Sequence, residues 1–178
     1  MSETGGPFAG RRWLVDVNTI GQRKAGRLEA SAAECRAAAA ALQLLDCADL
    51  ALNYVLQPMP KHGFRLRTQL SCNLVYASVV SLDPVPGKID EDVESELWPE
   101  GEAPDDVGDT EVDVLNAPVI ETYSQGRIDL GLIAFELLSV SLDPYPRNAG
   151  EALAEDIAIA RNMLSPFAVL DKLRKTKT

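Results

Sequence analysis

The strongest constraint on the fold is a two-residue alternation of apolar and polar side chains through the middle of the chain. Every second residue is apolar from Leu50 to Leu56, and the same period resumes after a breaker at 58–63 and continues to Leu82. Successive side chains of a β-strand point to opposite faces, so this period predicts strands with one buried face and one solvated face. The second run is longer than a usual strand, and we expect it to bend or to divide into two strands.

A third alternating run follows turn residues at 84–87 and carries acidic side chains on its solvated face. Its buried face is predicted to hold Ile89, Val93 and Leu97. Its solvated face is predicted to hold the carboxylates of Asp90, Asp92, Glu94 and Glu96. Arg65 and Arg67, on the solvated face of the preceding run, are candidate cross-strand partners, each pair contributing a few tenths to about 1 kcal/mol. Two interpretations of the acidic row therefore stay open: neutralisation within the sheet, or docking of a basic partner.

Helix signals precede and follow the alternating runs. Residues 31–45 are rich in alanine, and Ser31 with Glu34 forms a capping box, in which each side chain satisfies a backbone donor of the first turn. Residues 128–142 form an apolar helical stripe, with Asp129 placed as the N-cap and a proline after the last turn. The chain before the first helix, residues 13–30, is predicted to be extended.

These signals predict an α+β fold with a mainly antiparallel sheet, either open or closed like a barrel, and with helices packed on it. We expect one domain over residues 1–178. It would include a mobile acidic loop at 99–114, whose composition offers little apolar surface to bury. A C-terminal helical tail at 150–178 would hold one helix over about 150–164 and a short one beginning at Ser165.

The net charge of −10, from 17 basic and 27 acidic residues, arises in one segment. Between Lys88 and Arg127 there are 13 acidic residues and no basic residue, so the rest of the chain carries a small positive excess. Nucleic-acid phosphates would repel that segment, whereas a basic protein would be attracted to it. A solvated acidic loop is the other interpretation.

Cysteine usage argues against a disulfide framework and against a structural zinc site. Cys35, Cys47 and Cys72 are odd in number and widely spaced, and no Cys-x-x-Cys pair is present. We expect all three to be small buried apolar residues in a reducing compartment. The N-terminus lacks the basic start and apolar core of a secretory signal, and no run of about 18 uncharged apolar residues is present. We therefore expect a cytoplasmic protein that does not enter a membrane.

The residue patterns of common catalytic sites are missing from the sequence. There is no G-x-G-x-x-G, G-x-x-x-x-G-K-[ST] or G-x-S-x-G motif. The single histidine, His62, lies in a Pro-Lys-His-Gly turn without a second histidine to complete a metal site. A magnesium site formed by Asp105, Asp106 and Asp109 is conceivable, but hard cations need ligands that are held in place. We expect no enzymatic activity, no cofactor and no metal.

Two long segments resemble a known family. The first is Val75–Glu91, with the sequence VYASVVSLDPVPGKIDE, and the second is Arg127–Arg147, with the sequence RIDLGLIAFELLSVSLDPYPR. An acidic segment lies between them, and SPFAVLDKLR follows at 165–174. In these features the chain resembles the YceD family, the large ribosomal RNA subunit accumulation proteins, and above all its alphaproteobacterial branch, over about 65–174.

The resemblance implies a bacterial cytosolic protein needed for normal accumulation of large-subunit (23S) ribosomal RNA, with no established catalysis. The family's gene commonly neighbours that of a small basic ribosomal protein, which implies such a protein or a pre-ribosomal particle as the partner. The family often carries a cysteine before the Val-Val of the first motif, where this chain has Ser78. A thiol or metal role of relatives therefore does not carry over.

The leading hypothesis is a non-enzymatic ribosome-biogenesis factor that acts through protein or ribonucleoprotein contacts. The candidate partner-binding residues are Asp90, Asp92, Glu94, Glu96, Asp129, Asp143, Tyr145 and Arg147. For Asp129 a helix-capping function competes with direct contact. The alternative hypothesis is an RNA-binding module with a basic sheet face. The cationic side chains of that face would be those of Arg23, Lys24, Arg27, Lys61, Arg65 and Arg67. We expect neither DNA nor a membrane as a partner.

Overall fold

Seven strands and two helices make up the described part of the chain, residues 7–8, 13–103 and 119–150 of a computed structural model. In chain order they are β1 (Leu14–Asp16), β2 (Lys24–Glu29), α1 (Ala32–Ala41), β3 (Asp46–Pro58), β4 (Phe64–Ala77), β5 (Pro84–Pro99), β6 (Val119–Tyr123), β7 (Arg127–Asp129) and α2 (Leu130–Val140). A 3-10 turn, Val17–Thr19, follows β1. Most of the predicted acidic loop and the predicted tail helices lie outside the described residues.

The main sheet has five strands in the order β2-β3-β4-β5-β6. The pairs β2/β3 and β3/β4 are antiparallel, whereas β6 runs parallel to β5. A second sheet contains β1 and β7, which pair antiparallel. The predicted α+β class with mainly antiparallel strands is therefore confirmed, and no closed barrel is found among the described residues.

One face of the main sheet is buried, as the alternation predicts. On β4 the core side carries Phe64, Leu66, Thr68, Leu70, Cys72, Leu74 and Tyr76, all buried. The residues between them are exposed or half-buried, so β4 stays a single strand over its whole length. Helix α1 packs on β3 and buries Cys35, Ala38 and Ala39. Burial of apolar area at about 25 cal/mol per Å² is the main stabilisation of this arrangement.

A β-bulge in β3 keeps both halves of that strand facing the core. The register with β4 shifts between Ala48 and Ala51, where Asp49 has a left-handed φ of 53°. One extra residue changes the parity of the strand. Consequently Cys47 before the bulge and Leu52 after it both lie on the buried face, although one number is odd and the other even.

Two predicted boundaries are wrong. Residues 84–87 were expected to turn, but β5 already begins at Pro84, and the chain reverses earlier, over 78–83. Proline is tolerated in the first residues of a strand, where no ladder N–H is required. Helix α1 starts after its Ser31 capping box as predicted, but it ends at Ala41 because Gln43 adopts a left-handed φ of 57°.

The chain forms two compact units. The first contains both helices and nearly all of the sheets, over residues up to Tyr76 and from Pro86 to Pro144. The described part of the second is 77–85 with 145–150.

The start of α2 packs directly on the N-terminal segment. Trp13 is fully buried, its ring centroid lies 5.2 Å from that of Phe8, and its Nε1 donates to Glu34 Oε1 of α1 at 2.9 Å. A Cβ placed on Gly131 would lie 2.5 Å from the Phe8 carbonyl oxygen and 3.1 Å from Trp13 Cβ. Glycine is therefore required at position 131, because the backbone of the N-terminal segment lies too close to the helix for a side chain.

We expect Gly131→Ala to lower the free energy of unfolding by about 1–3 kcal/mol, because a methyl group at this position must displace backbone. Gly21→Ala is the matched control, since a Cβ at Gly21 meets no heavy atom within 4 Å and should change stability by less than about 0.5 kcal/mol. Urea unfolding measures both. Equal losses in the two variants would contradict the packing described for α2.

Candidate functional site

The four carboxylates of the acidic row lie on one face of β5, as predicted. Ile89 and Leu97 on the opposite face are buried and Val93 is half-buried. Of the acidic row, Asp90, Asp92 and Glu94 are exposed and Glu96 is half-buried. The row therefore belongs to the polar face of the main sheet.

Two members of the acidic row form ion pairs with arginines of β4. Glu94 Oε2 accepts a hydrogen bond from Arg67 Nε at 2.6 Å, and its Oε1 lies 3.3 Å from Arg65 Nε without hydrogen-bond geometry. Glu96 Oε1 lies 3.8 Å from Arg65 Nη2. Apart from Glu96, these side chains are 43–62% exposed, so each pair contributes only about 0–1 kcal/mol. Even so, the contacts balance two carboxylates with two guanidinium groups inside the sheet.

The other two members of the acidic row have different surroundings. Asp90 Oδ1 accepts from Gln69 Nε2 at 3.2 Å, and Gln69 in turn accepts from Asn53 Nδ2 at 3.2 Å. This amide chain crosses β3, β4 and β5 at the edge of a shallow groove of about 380 Å³. Asp92 projects from the same face and is exposed. Asp90 and Asp92 therefore keep a negative charge that no arginine of β4 balances.

The Ile-Asp-Leu-Gly motif is explained by packing and capping. Asp129 is the N-cap of α2, and its Oδ1 accepts from the backbone N–H groups of Gly131 at 2.9 Å and Leu132 at 3.0 Å. Ile128 and Leu130 on either side of it are fully buried. The predicted capping function of Asp129 is confirmed, and the half-buried carboxylate is already occupied by two donors.

The Leu-Asp-Pro-Tyr-Pro-Arg motif spans the end of the first unit and part of the second. Asp143 is exposed, and its backbone N–H donates to the Tyr76 hydroxyl at 3.4 Å. In the second unit Tyr145 is 72% exposed, Arg147 is exposed, and Pro146 between them is buried. The Tyr145 ring therefore presents a large aromatic surface to solvent.

The rest of the described second unit is an exposed apolar turn, residues 78–83, and the positions that flank this turn. Val79 N–H donates to the Pro146 carbonyl at 2.9 Å, which joins the two motif segments. The Ser78 hydroxyl accepts from the N–H groups of Val80 and Ser81 and fixes the turn. The turn exposes three apolar side chains: Val79 at 52%, Val80 at 41% and Leu82 at 76%.

Sequence reasoning missed this exposed turn. The two-residue period placed Val80 and Leu82 on the buried phase of a strand that in fact ends at Ala77. The spacing of Ser78 and Ser81 does indicate a turn, because serine hydroxyl groups form hydrogen bonds with the backbone of a turn.

A second feature missed from the sequence is a cleft of about 530 Å³ between β6, β7 and α2. Its floor contains Leu97, Ile128 and Ile133, all buried. Glu121 of β6 and Glu136 of α2 line its wall. Burial, and then the Glu136 charge, raises the pKa of the Glu121 carboxyl above its ordinary value. Residues 115–126 have no strong period, and β6 was therefore not predicted.

Arrangements for catalysis or metal binding are not found in the described part of the chain. His62 is exposed in the turn between β3 and β4. No group of three or more histidine, cysteine or acidic side chains there could hold a metal ion. Asp105, Asp106 and Asp109 lie outside the described residues. Of the two described helices, neither has the length and apolarity to cross a membrane.

Comparisons with protein-family models, curated proteins and solved structures found no match to the chain.

We expect Asp129→Ala to cost about 1 kcal/mol of stability, because two backbone donors of α2 lose their acceptor. Asp129→Asn should cost much less, since asparagine is an equally good N-cap and differs mainly in charge. Chemical unfolding of both variants measures the difference. Equal destabilisation by alanine and asparagine would contradict the capping geometry.

We expect Glu121→Gln to raise the free energy of unfolding at neutral pH. The folded state binds the Glu121 proton more tightly than the unfolded state, so the carboxyl destabilises the fold progressively as the pH rises through its ordinary pKa toward its raised value. The gain should disappear near pH 3, where the carboxyl is protonated in both states. Exposed Glu91→Gln is the control and should give no such gain; an unchanged unfolding curve for Glu121→Gln at neutral pH would contradict the burial.

Proposed function

We propose that this protein is a non-enzymatic ribosome-biogenesis factor that supports accumulation of large-subunit (23S) ribosomal RNA by binding a basic ribosomal protein or a pre-ribosomal particle. The ribosomal context rests on the resemblance of residues 65–174 to the YceD family. The binding mode rests on the surfaces described above. Catalysis forms no part of the proposal.

The proposal rests mainly on one observation. The exposed apolar turn and Tyr145 lie in the same unit. Leu82 and Tyr145 are large apolar residues that are more than 70% exposed, and each belongs to one of the two segments that carry the resemblance. Ordered apolar and aromatic side chains at a turn form contact surfaces that lose little entropy on binding. Arg147 supplies a cation at the same end of the second motif. Such a surface favours a protein partner.

Electrostatic attraction of a basic partner would come from the first unit. Asp90 and Asp92 supply negative charge there that no arginine of β4 balances, whereas Glu94 and Glu96 are paired with arginines. We therefore assign the docking charge of the acidic row to Asp90 and Asp92. Charges at the rim of an interface mainly raise the association rate, and salt weakens their effect.

The alternative, an RNA-binding sheet face, has less support from the geometry. Arg65 and Arg67 are held by Glu94, and Arg27 Nε pairs with Glu29 Oε1 at 2.8 Å. Tyr54 is buried against Gly26 and therefore offers no stacking surface to a base. Cations that are already balanced release fewer counterions on binding a phosphate backbone, so their contribution to RNA affinity is small.

The test is a titration of the purified protein with small basic proteins of the large ribosomal subunit at low and at high salt. We expect the double variant Leu82→Ala with Tyr145→Ala to weaken binding by at least about tenfold, as for loss of an aromatic anchor. Val140→Ala is the matched control, because Val140 is 78% exposed on α2 and lies in the other unit. That control should bind like the native chain.

The charge contribution has its own pair of variants. Asp90→Asn with Asp92→Asn should weaken binding at low salt and have little effect at high salt, whereas Glu91→Gln, on the opposite face of β5, should have no effect. If the apolar and acidic double variants both bind every ribosomal protein as the native chain does, the proposal is wrong. Tight, salt-sensitive binding of isolated 23S fragments would favour the RNA alternative.

A further inference from the structure

The cleft between β6, β7 and α2 lies within the first unit and has no part in the proposed function. Its volume of about 530 Å³ is typical of a ligand pocket. Leu97, Ile128 and Ile133 form a buried apolar floor. Two further lining residues, Ile120 at 42% and Leu132 at 46%, expose apolar surface at the rim. Such a cleft favours a ligand that brings apolar surface of its own.

Two carboxylates line this cleft from different elements. Glu121 on β6 is half-buried and Glu136 on α2 is exposed. Within the described residues, neither carboxylate accepts a hydrogen bond or pairs with a cation, although Arg127 lines the same cleft. Two like charges on the walls of one apolar cleft repel each other, and a cation placed between them would remove that repulsion. The ligand that complements the cleft therefore joins an apolar part to a positive charge.

The backbone edge of β6 also borders the cleft. Residues 120–124 line it without a gap. Because successive side chains of a strand point to opposite faces, this unbroken run of lining residues places the edge of the strand itself at the cleft. In the described part of the main sheet, β6 is the last strand and pairs only with β5, so its outer edge has no sheet partner there. Such an edge can accept an extended peptide as an additional strand.

We propose that this cleft binds a lysine side chain of a partner protein, presented by an extended segment that pairs with the edge of β6. Lysine joins an apolar methylene stem, which suits the floor, to a rotatable ammonium that can donate to carboxylates on two walls. Arginine holds its donors in a planar fork that suits a single carboxylate better. A free amine has no peptide backbone for the β6 edge to pair with, so the edge favours a protein as the source.

The test follows the methyl and amide NMR signals of the full chain during titration with the peptide Ac-Val-Thr-Lys-Thr-Val-amide. In an extended peptide the two valines lie on the same face as the lysine and can contact the rim of the cleft. The expected result is saturable shifts at the methyl groups of Ile120, Ile128 and Leu132 and at the amides of β6. Acetylation of the lysine Nζ removes its positive charge and should weaken binding by at least about tenfold.

Charge-matched variants test the two carboxylates of the cleft. Glu121→Gln and Glu136→Gln should each weaken binding of the peptide by at least about fivefold. Exposed Glu91→Gln on β5 removes the same charge elsewhere and should bind the peptide like the native chain. Glu121→Gln is expected to be more stable than the native chain at neutral pH, so weaker binding by that variant does not arise from unfolding.

Several results would overturn the proposal. They are the absence of saturable shifts at the cleft, equal affinity for the peptide and its acetylated form, and native affinity in both glutamine variants. The free diamine cadaverine is the control for the source of the amine, and binding of cadaverine at the cleft as tightly as the peptide would also overturn the proposal. The peptide requires neither the apolar turn nor a ribosomal protein, so none of these outcomes bears on the proposed function.

Discussion

Burial of one face of the main sheet is the constraint on which the rest of the molecule depends. The strands β3, β4 and β5 are each at least 13 residues long, so their alternation fixes the direction of many side chains at once. A slip of one residue in register would expose a whole row of apolar side chains, which makes the register energetically well defined. The bulge at Ala48–Ala51 is compatible with this constraint only because it restores the buried phase.

The polar face follows from the same constraint. Once the apolar residues of β4 and β5 face inward, Arg65 and Arg67 must face outward beside Glu94 and Glu96. Side chains of opposite charge thus meet on this face of the sheet. In the proposed binding mode, the apolar turn and Tyr145 in one unit supply contact surface, and Asp90 and Asp92 in the other supply charge.

The sequence predicts those parts of the molecule that local patterns determine. The capping box at Ser31 and the N-cap at Asp129 need only neighbouring residues, and both are found as predicted. The parallel strand β6 depends on pairing with β5, which no local period encodes.

Candidate site residues divide in the same way. Asp129 is engaged by backbone donors, whereas Tyr145 is exposed, and this difference depends on tertiary environment and not on residue type. Likewise, Leu82 fits a buried strand phase by sequence but lies in a turn with a left-handed φ of 65°. Here the hydrogen bonds that the Ser78 hydroxyl accepts within the turn prevail over the alternation of apolar residues in the sequence.

Hydrogen–deuterium exchange, measured on the protein with and without a bound basic ribosomal protein of the large subunit, tests the central claim most directly. The account predicts that binding slows exchange at the amides of residues 78–83, Tyr145 and Arg147 and leaves the start of β4, around Arg65 and Arg67, unchanged. Slower exchange confined to β4 and β5 would contradict the account. Slower exchange in these two strands when RNA alone is added would also contradict it.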